Sequence, residues 1–222
     1  MAWAVIEERG TAADLHDGRL LIPDRRLLRV ASAVGPALVL GSTQVADGLD
    51  LDLAAALGVE VARRRSGGGA VLVWPGHQVW LDVGVPRSDP LWDVDVGRSA
   101  GWLGEVMAAA LVGLGAAGAT AHVGPMVSTA WSNQVCFAGR ASGEVLVGGR
   151  KVVGTSQRRT RSGAVFQVAV ALVWATSILL DLLRLPEEAA PAVAAAGVGL
   201  GELVPGLRAA AVVDAVVAAL PT

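Results

Sequence analysis

The sequence predicts an α+β fold, a mixed and mostly antiparallel sheet with flanking helices. Three observations carry this reading. Short apolar runs bounded by glycine and proline come in clusters rather than alternating with helices. A single long stretch, Asp93 to Ala116, keeps helical spacing, with apolar residues at Val96, Ala100, Leu103, Met107, Ala110 and Leu114. Gly148-Gly149 separates two strand-like runs with the two-residue signal of a hairpin.

The elements follow in order. The first 30 residues read as a loosely structured lead-in with charged ends and a helical middle. Pro36 to Gly41 is a short apolar run between breakers, hence a strand. A helix is expected from Asp50 to Leu57, stopped by Gly58. Val59 to Arg65 alternates apolar and polar residues until Gly67-Gly68-Gly69 breaks it. Ala70 to Trp74 is a strand, Pro75-Gly76 a turn, and Gln78 to Val85 a further strand. After the long helix, strands are expected at Ala119 to Val123, Ser132 to Ala138 and Glu144 to Val147. Arg150 to Gln157 pairs back on the last of these. Val165 to Trp174 is the final long strand. Ile178 to Leu183 and Ala209 to Leu220 read as helices joined by a Pro- and Ala-rich stretch.

The 222 residues fit one domain, 1–222, on a prior of roughly 100–200 residues per domain. A hydrophobic fraction of 53% is ample for a core, and 17% charged residues is far from a disordered composition. The net charge of −2 implies no basic field, so nucleic acid is not an expected partner. The single cysteine, Cys136, excludes a disulfide framework within the chain and fits a cytoplasmic location. The start, MAWAVIEERG, is charged by its seventh residue and does not read as a signal peptide. Gly163 to Leu180 is 18 residues without a charge, near the length of a membrane span. Its Gln167, Thr176 and Ser177 and its local alternation favour a buried strand running into a helix, so no membrane partner is expected.

Of the 18 basic residues, Lys151 is the only lysine. A lysine that persists where arginine serves everywhere else is expected to be needed as a lysine. It lies in Gly149 to Gln157, GRKVVGTSQ, beside apolar Val152 and Val153 and beside Gly154, which permits close approach of a ligand. An ammonium there could stabilise charge on a carboxylate or phosphate oxygen. The strongest local signal is Arg63 to Val71, RRRSGGGAV. Three glycines after a strand give a loop whose N–H groups can approach an anion, with arginines alongside. The alternative is a flexible turn beside a solvated basic run. The loop lacks the GK[ST] ending of a P-loop and the spacing of a dinucleotide fingerprint. Cys136-Phe137 reads as an inert buried thiol unless it lies near Lys151, whose charge would favour a thiolate. His16, His77 and His122 are scattered, and no metal-ligand spacing is present.

Together these motifs resemble the lipoate-protein ligase A and octanoyltransferase family, within the biotin/lipoate protein ligase catalytic-domain superfamily. Lipoate ligases carry two arginines, a spacer, serine or threonine, then Gly-Gly-Gly-Ala-Val. Arg63, Arg64, Arg65 as spacer, Ser66, Gly67, Gly68, Gly69, Ala70 and Val71 match it. The family's lysine strand is matched by Gly149 to Gln157. The early PALVLGSTQ, ending in Gln44, and the closing GVGLGELVPGLRAAAVVDAVVAAL are also similar, so the resemblance covers about 36–220. It implies that Arg64 and the backbone from Gly69 to Leu72 contact nucleotide phosphate or an acyl-adenylate. Lys151 would bridge the acyl carboxyl and the phosphate, with Gly154 and Gln157 on the same strand. In one transferase branch a Cys-Phe pair supplies a thioester nucleophile, matched by Cys136-Phe137.

The resemblance further implies ATP with Mg2+ as cofactors and a lipoyl or octanoyl group as substrate. The expected partners are lipoyl domains of 2-oxoacid dehydrogenases or the glycine cleavage H protein. Two departures stand out. The family's His-Asp after the Ala-Val is replaced by Val73 and Trp74. The chain also has no room for a full accessory C-terminal domain, so either a separate accessory protein supplies it or acyl carrier protein donates the acyl group without ATP. Three readings follow: an ATP-dependent lipoate ligase, a cysteine octanoyltransferase, and a non-catalytic acyl- or nucleotide-binding homologue. In each, the glycine loop and the Lys151 strand are expected on opposite walls of one pocket.

Overall fold

The computed structural model describes residues 2–17 and 24–222. It is an α+β fold built on two sheets. The chain begins with β1 (Ala4–Gly10), α1 (Ala12–Asp17) and β2 (Leu27–Ala33). A small unit follows: β3 (Ala37–Leu40), α2 (Leu51–Ala56), β4 (Glu60–Arg63) and β5 (Val71–Val73). β6 (Gln78–Pro86) leads to α3 (Gly101–Gly113), then β7 (Thr120–Ala121), β8 (Val145–Val147), β9 (Arg150–Arg159) and β10 (Gly163–Ala171). Helices α4 (Ser177–Leu182), α5 (Ala189–Ala196), α6 (Leu200–Leu203) and α7 (Ala209–Ala219) close the chain.

The seven-stranded sheet runs β1-β2-β6-β10-β9-β8-β7 and is antiparallel except for the β1–β2 pair. The three-stranded sheet runs β4-β3-β5, with β4 parallel and β5 antiparallel to β3. β6 is buried along almost its whole length because both faces are covered. On one face Leu81 and Val83 join Leu103, Met107 and Leu111 of α3 and Val212 and Val216 of α7 in the main core. The other face turns Trp80 and Asp82 toward α1 and the small sheet. In the small sheet, alternation sends Leu38 and Leu40 toward α4 and α5, and Val39, Val71 and Val73 toward the large sheet.

Local chemistry explains several boundaries. Asp50 caps α2 by accepting a hydrogen bond from Leu53 N at 2.9 Å, and Gly58, at φ +64°, ends it. Gly148 and Gly149 both have positive φ, as a tight turn between twisted strands demands. The uncharged stretch 163–180 divides into β10 and the start of α4. Among the described residues no helix is long and apolar enough to cross a membrane.

Some expectations are corrected. The long helix starts at Gly101 rather than Asp93. The Asp93 and Asp95 carboxylates each accept a backbone N–H two residues on, from Asp95 and Gly97, which favours turns over helix. Ser132 to Ala138 is a turn followed by a short 3-10 helix, Cys136–Ala138, rather than a strand. The lead-in holds two sheet strands, β1 and β2, around α1, while residues 18–23 of that reading lie outside the described residues. The final long strand ends at Ala171, short of Trp174. The Pro- and Ala-rich stretch contains α5 and α6.

Candidate functional site

The glycine loop joins β4 to β5 and is shaped from beneath by Arg64. This side chain is 4% exposed and donates from Nη2 to the carbonyls of Gly67 and Gly69 at 2.7 and 2.8 Å. The loop carbonyls are therefore turned inward. Among the described residues the N–H groups of Gly67, Gly68 and Gly69 have no hydrogen-bond partner. Gly68 sits at φ +97°, where a side chain is strained. A Cβ on Gly69 would lie 2.7 Å from the backbone of Val135. That contact exists because Ala70 bonds to both sides of Val135: Ala70 N donates to Gln134 O at 2.7 Å, and Cys136 N donates to Ala70 O at 3.0 Å. Ser66 ties the loop to β9 by donating to Ser156 Oγ at 2.9 Å. Arg63 turns outward and donates to the Gly41 carbonyl at 3.2 Å and to the Gln44 carbonyl.

Lys151 reaches the same place from the large sheet. Gly154 is three positions further on, so strict alternation would put the two on opposite faces. The register prevents this. Val145 pairs with Val153, but the next residue, Leu146, pairs with Lys151. Val152 is thus the extra residue of a β-bulge, and Lys151 returns to the face of Gly154. Phe137 lies against both. The Lys151 ammonium is 5.4 Å from the ring centroid, and a Cβ on Gly154 would come within 3.0 Å of the ring edge. The glycine makes room for Phe137 rather than leaving an open approach.

Lys151 is 1% exposed. Its Nζ donates to the Cys136 carbonyl at 3.0 Å and pairs with Glu144 Oε2 at 2.6 Å. Glu144, 3% exposed, also accepts N–H groups from Ala141 at 2.7 Å and Thr155 at 3.3 Å. The loop and the lysine do not face each other across open space. They meet through one segment, Gln134 to Cys136, bonded to the loop on one side and to the ammonium on the other.

Between the sheets lies a narrow, predominantly apolar cavity. Val39, Val71 and Val73 line it from the small sheet, and Trp80, Gly154 and Ala169 from the large one. Cys136, Phe137 and Arg64 also border it. A second compartment shares Val71, Gln78, Phe137 and Ala169 with the first and continues past Leu72 to Trp74, His77 and Trp174. Trp174 stacks on Phe137 at 4.8 Å. Trp74 thus adds aromatic surface at the position where sequence reading noted the loss of a polar residue, and the neighbouring Val73 is buried facing the first compartment.

Gln157 stands apart from this assembly. It accepts from Ser99 Oγ at 2.7 Å and donates to the Val96 carbonyl at 2.7 Å, tying β9 to the segment before α3. Sequence reasoning missed Glu144 and His16. An acidic residue on an apolar strand across a tight hairpin from the sole lysine is the signal that could have found Glu144. His16 carried none, since its neighbours Trp80 and Gln167 come from distant strands. Burial, then the positive charges of Arg64 and Arg29, push the His16 pKa down to about 3, so its ring is neutral at physiological pH.

The unpaired glycine N–H groups are suited to oxygens of a phosphate or carboxylate, and a nucleotide fits that donor set. Among the described residues no three His, Cys, Asp or Glu side chains come together as a metal site.

The model of one family, the lipoyl protein ligase A/B catalytic domain, matches residues 20–220. The structure of Ta0514 from T. acidophilum with bound lipoic acid is 20% identical, with a TM-score of 0.72 over 98% of this chain and 83% of that one. A lipoate-protein ligase A bound with ATP is 21% identical, with a TM-score of 0.74 over 98% and 82%. A bi-partite lipoate protein ligase from Thermoplasma acidophilum, from a study that includes its E2 lipoyl domain, is 20% identical, with a TM-score of 0.74 over 98% and 80%. At these identities the likeness speaks for the fold. No curated protein sequence matches.

Proposed function

Because the chain belongs to the lipoyl protein ligase A/B catalytic-domain family, we propose that it is a lipoate-protein ligase-like enzyme, a single catalytic domain that attaches a lipoyl or octanoyl group to a lysine of a lipoyl domain through an acyl-adenylate. One observation carries this reading. The end of the glycine loop, through Ala70, and the sole lysine both bond to the Gln134–Cys136 segment, beside an apolar cavity between the sheets. The cavity suits an acyl tail, which gains stability from every methylene taken out of water. The loop amides suit the phosphate of the adenylate, and the aromatic compartment beside Trp74 and Trp174 suits its base. Lys151, which donates to the Cys136 carbonyl while paired with Glu144, would stabilise negative charge as the acyl carbonyl reacts. An E2 lipoyl domain accompanies one similar ligase, which supports lipoyl domains as acceptors. The glycine cleavage H protein is the other acceptor of this class, and a separate accessory protein would assist activation.

A specific observation favours a second reading. Cys136 borders the acyl cavity, and Lys151 holds its carbonyl. A thiolate there would attack the thioester of octanoyl carrier protein and accept the acyl group, releasing the carrier thiol. The acceptor lysine would then displace it. A purified lipoyl domain incubated with the protein and either ATP plus lipoate or octanoyl carrier protein decides between them by mass. For the ligase, the lipoyl adduct forms with ATP, and Cys136→Ser changes its rate little. For the transferase, the octanoyl adduct forms without ATP, and Cys136→Ser removes nearly all of it. No adduct in either mixture would reduce the protein to a binding homologue.

A further inference from the structure

Glu144 carries out no step in the chemistry above, yet it is held more firmly than a counter-ion needs to be. Its carboxylate accepts from Ala141 N at 2.7 Å and from Thr155 N at 3.3 Å. Its backbone carbonyl accepts from His122 N at 2.7 Å, and the neighbouring Gly143 N donates to the His122 carbonyl at 3.0 Å. The carboxylate is therefore fixed by groups other than the lysine it meets. Lys151 is fixed from its other end. Its own carbonyl accepts from Val198 N at 2.9 Å, beside a bridge to Gly197.

A buried ion pair is seldom more stabilising than well-packed apolar residues of the same volume. Stability is thus a poor reason for a pair at 1% and 3% exposure. Geometry is a better one. An ammonium has three N–H donors. Glu144 Oε2 takes one at 2.6 Å, and the Cys136 carbonyl takes another at 3.0 Å. Two directions of a tetrahedral nitrogen determine the third, and among the described residues that third N–H has no acceptor.

We propose that Glu144 is the positioning residue of the site. It keeps Lys151 charged inside the protein and turns the remaining N–H toward an oxygen of the reacting acyl group. This rests on the acyl-transfer reading and assigns a role to a residue that no motif marked. The opposite role is also physical. A carboxylate at 2.6 Å competes with an anionic substrate for the ammonium, and its removal would then speed the reaction. Other charges nearby are engaged elsewhere: Arg150 pairs with Glu202 at 2.8 Å, and the His122 ring meets the Pro125 carbonyl at 3.2 Å. The Cys136 thiol is the other titratable group on the segment that Lys151 touches.

The test is the steady-state rate at which the full chain labels a purified lipoyl domain, from neutral to alkaline pH, with each of the two donor mixtures above. It compares wild type, Glu144→Gln and Glu144→Asp, each checked for folding by circular dichroism. Glu144→Gln keeps the shape and loses the charge. Its kcat should fall about 10²-fold, the loss that a misplacement of about 1 Å can cause, with KM little changed. A buried amine without a counter-charge gives up its proton more readily, so the deficit should widen as pH rises. Glu144→Asp keeps the charge one methylene further back. It should also lose kcat, but its deficit should stay constant with pH. Lys151 is the only lysine, so ¹⁵N-lysine labelling gives a single side-chain signal, which should lose its ammonium character at lower pH in Glu144→Gln than in wild type. A folded Glu144→Gln with kcat equal to or above wild type overturns the positioning role and leaves the acyl-transfer reading standing. If Glu144→Gln does not fold, Glu144→Asp decides, and wild-type kcat there overturns the role. Failure of wild type to label the lipoyl domain with either donor overturns both.

Discussion

An ammonium that is 1% exposed must be surrounded by oxygens, and Lys151 has two, from Glu144 and the Cys136 carbonyl. Arginine keeps the charge but spreads it over a planar fork that does not fit a pocket shaped for a compact group. Lys151→Arg should lower acyl transfer to a lipoyl domain by about 10²–10³-fold, the loss usual when a charge-stabilising group is removed. It should also reduce stability by about 1–3 kcal/mol through overpacking. Rates from intact-mass assays, together with urea melts, separate the two effects. A variant with near-normal turnover would make the lysine a structural residue. His16 gives a residue-scale prediction about acid. Its pKa falls from 6.5 to about 3 on folding, so between those values the unfolded chain binds the additional proton. Stability then declines as pH drops from about 6.5 toward 3, by at most about 1.4 kcal/mol per pH unit from this group. His16→Gln should flatten that part of the profile in chemical denaturation between pH 4 and 7.5. An unchanged slope would assign the acid sensitivity elsewhere.

At the scale of elements, the glycine loop works by backbone approach. A methyl on Gly69 would press against Val135 at 2.7 Å and force apart the Ala70 and Cys136 hydrogen bonds. Gly69→Ala should therefore disturb the loop and the Lys151 carbonyl partner together. It should cost roughly as much stability as other overpacked sites, about 1–3 kcal/mol, and should abolish transfer. The same variant with wild-type stability and activity, measured by thermal melt and adduct formation, would show that loop and segment are uncoupled. This element was legible in sequence because three consecutive glycines beside arginines form a local signal. So were α2, with its Asp50 cap and Gly58 stop, and the β8–β9 hairpin, with Gly148-Gly149. The strand expected over Ser132 to Ala138 was not. Its apolar residues face different neighbours through a 3-10 turn, and its one sheet-like contact, Ala70 with Val135, comes from tertiary pairing. The Val152 bulge was invisible for the same reason, since a bulge is a property of two strands in register and not of one. Asp93 to Gly97 was misread because exposed Val94 and Val96 mimic the start of an amphipathic helix.

At the scale of the whole molecule, the cavity exists because the small sheet presents valines to a face of the large sheet whose other side carries α3 and α7. Neither sheet's sequence reveals this pairing, so the site's motifs were readable while its depth was not. The burial of the only lysine also has a practical consequence. A protease that cuts solely after lysine has one bond to attack, Lys151–Val152, near the start of β9, where Lys151 pairs with Leu146 of β8 on one flank and accepts from Val198 N on the other. Local fraying elsewhere exposes no further target, so cleavage reports the opening of that sheet region alone. Brief digestion across a urea series should give a single transition that yields only the 1–151 and 152–222 fragments. Its midpoint should match loss of tryptophan fluorescence if the two sheets unfold as a unit, whereas cutting well before that midpoint would reveal a β8–β9 hairpin that opens on its own.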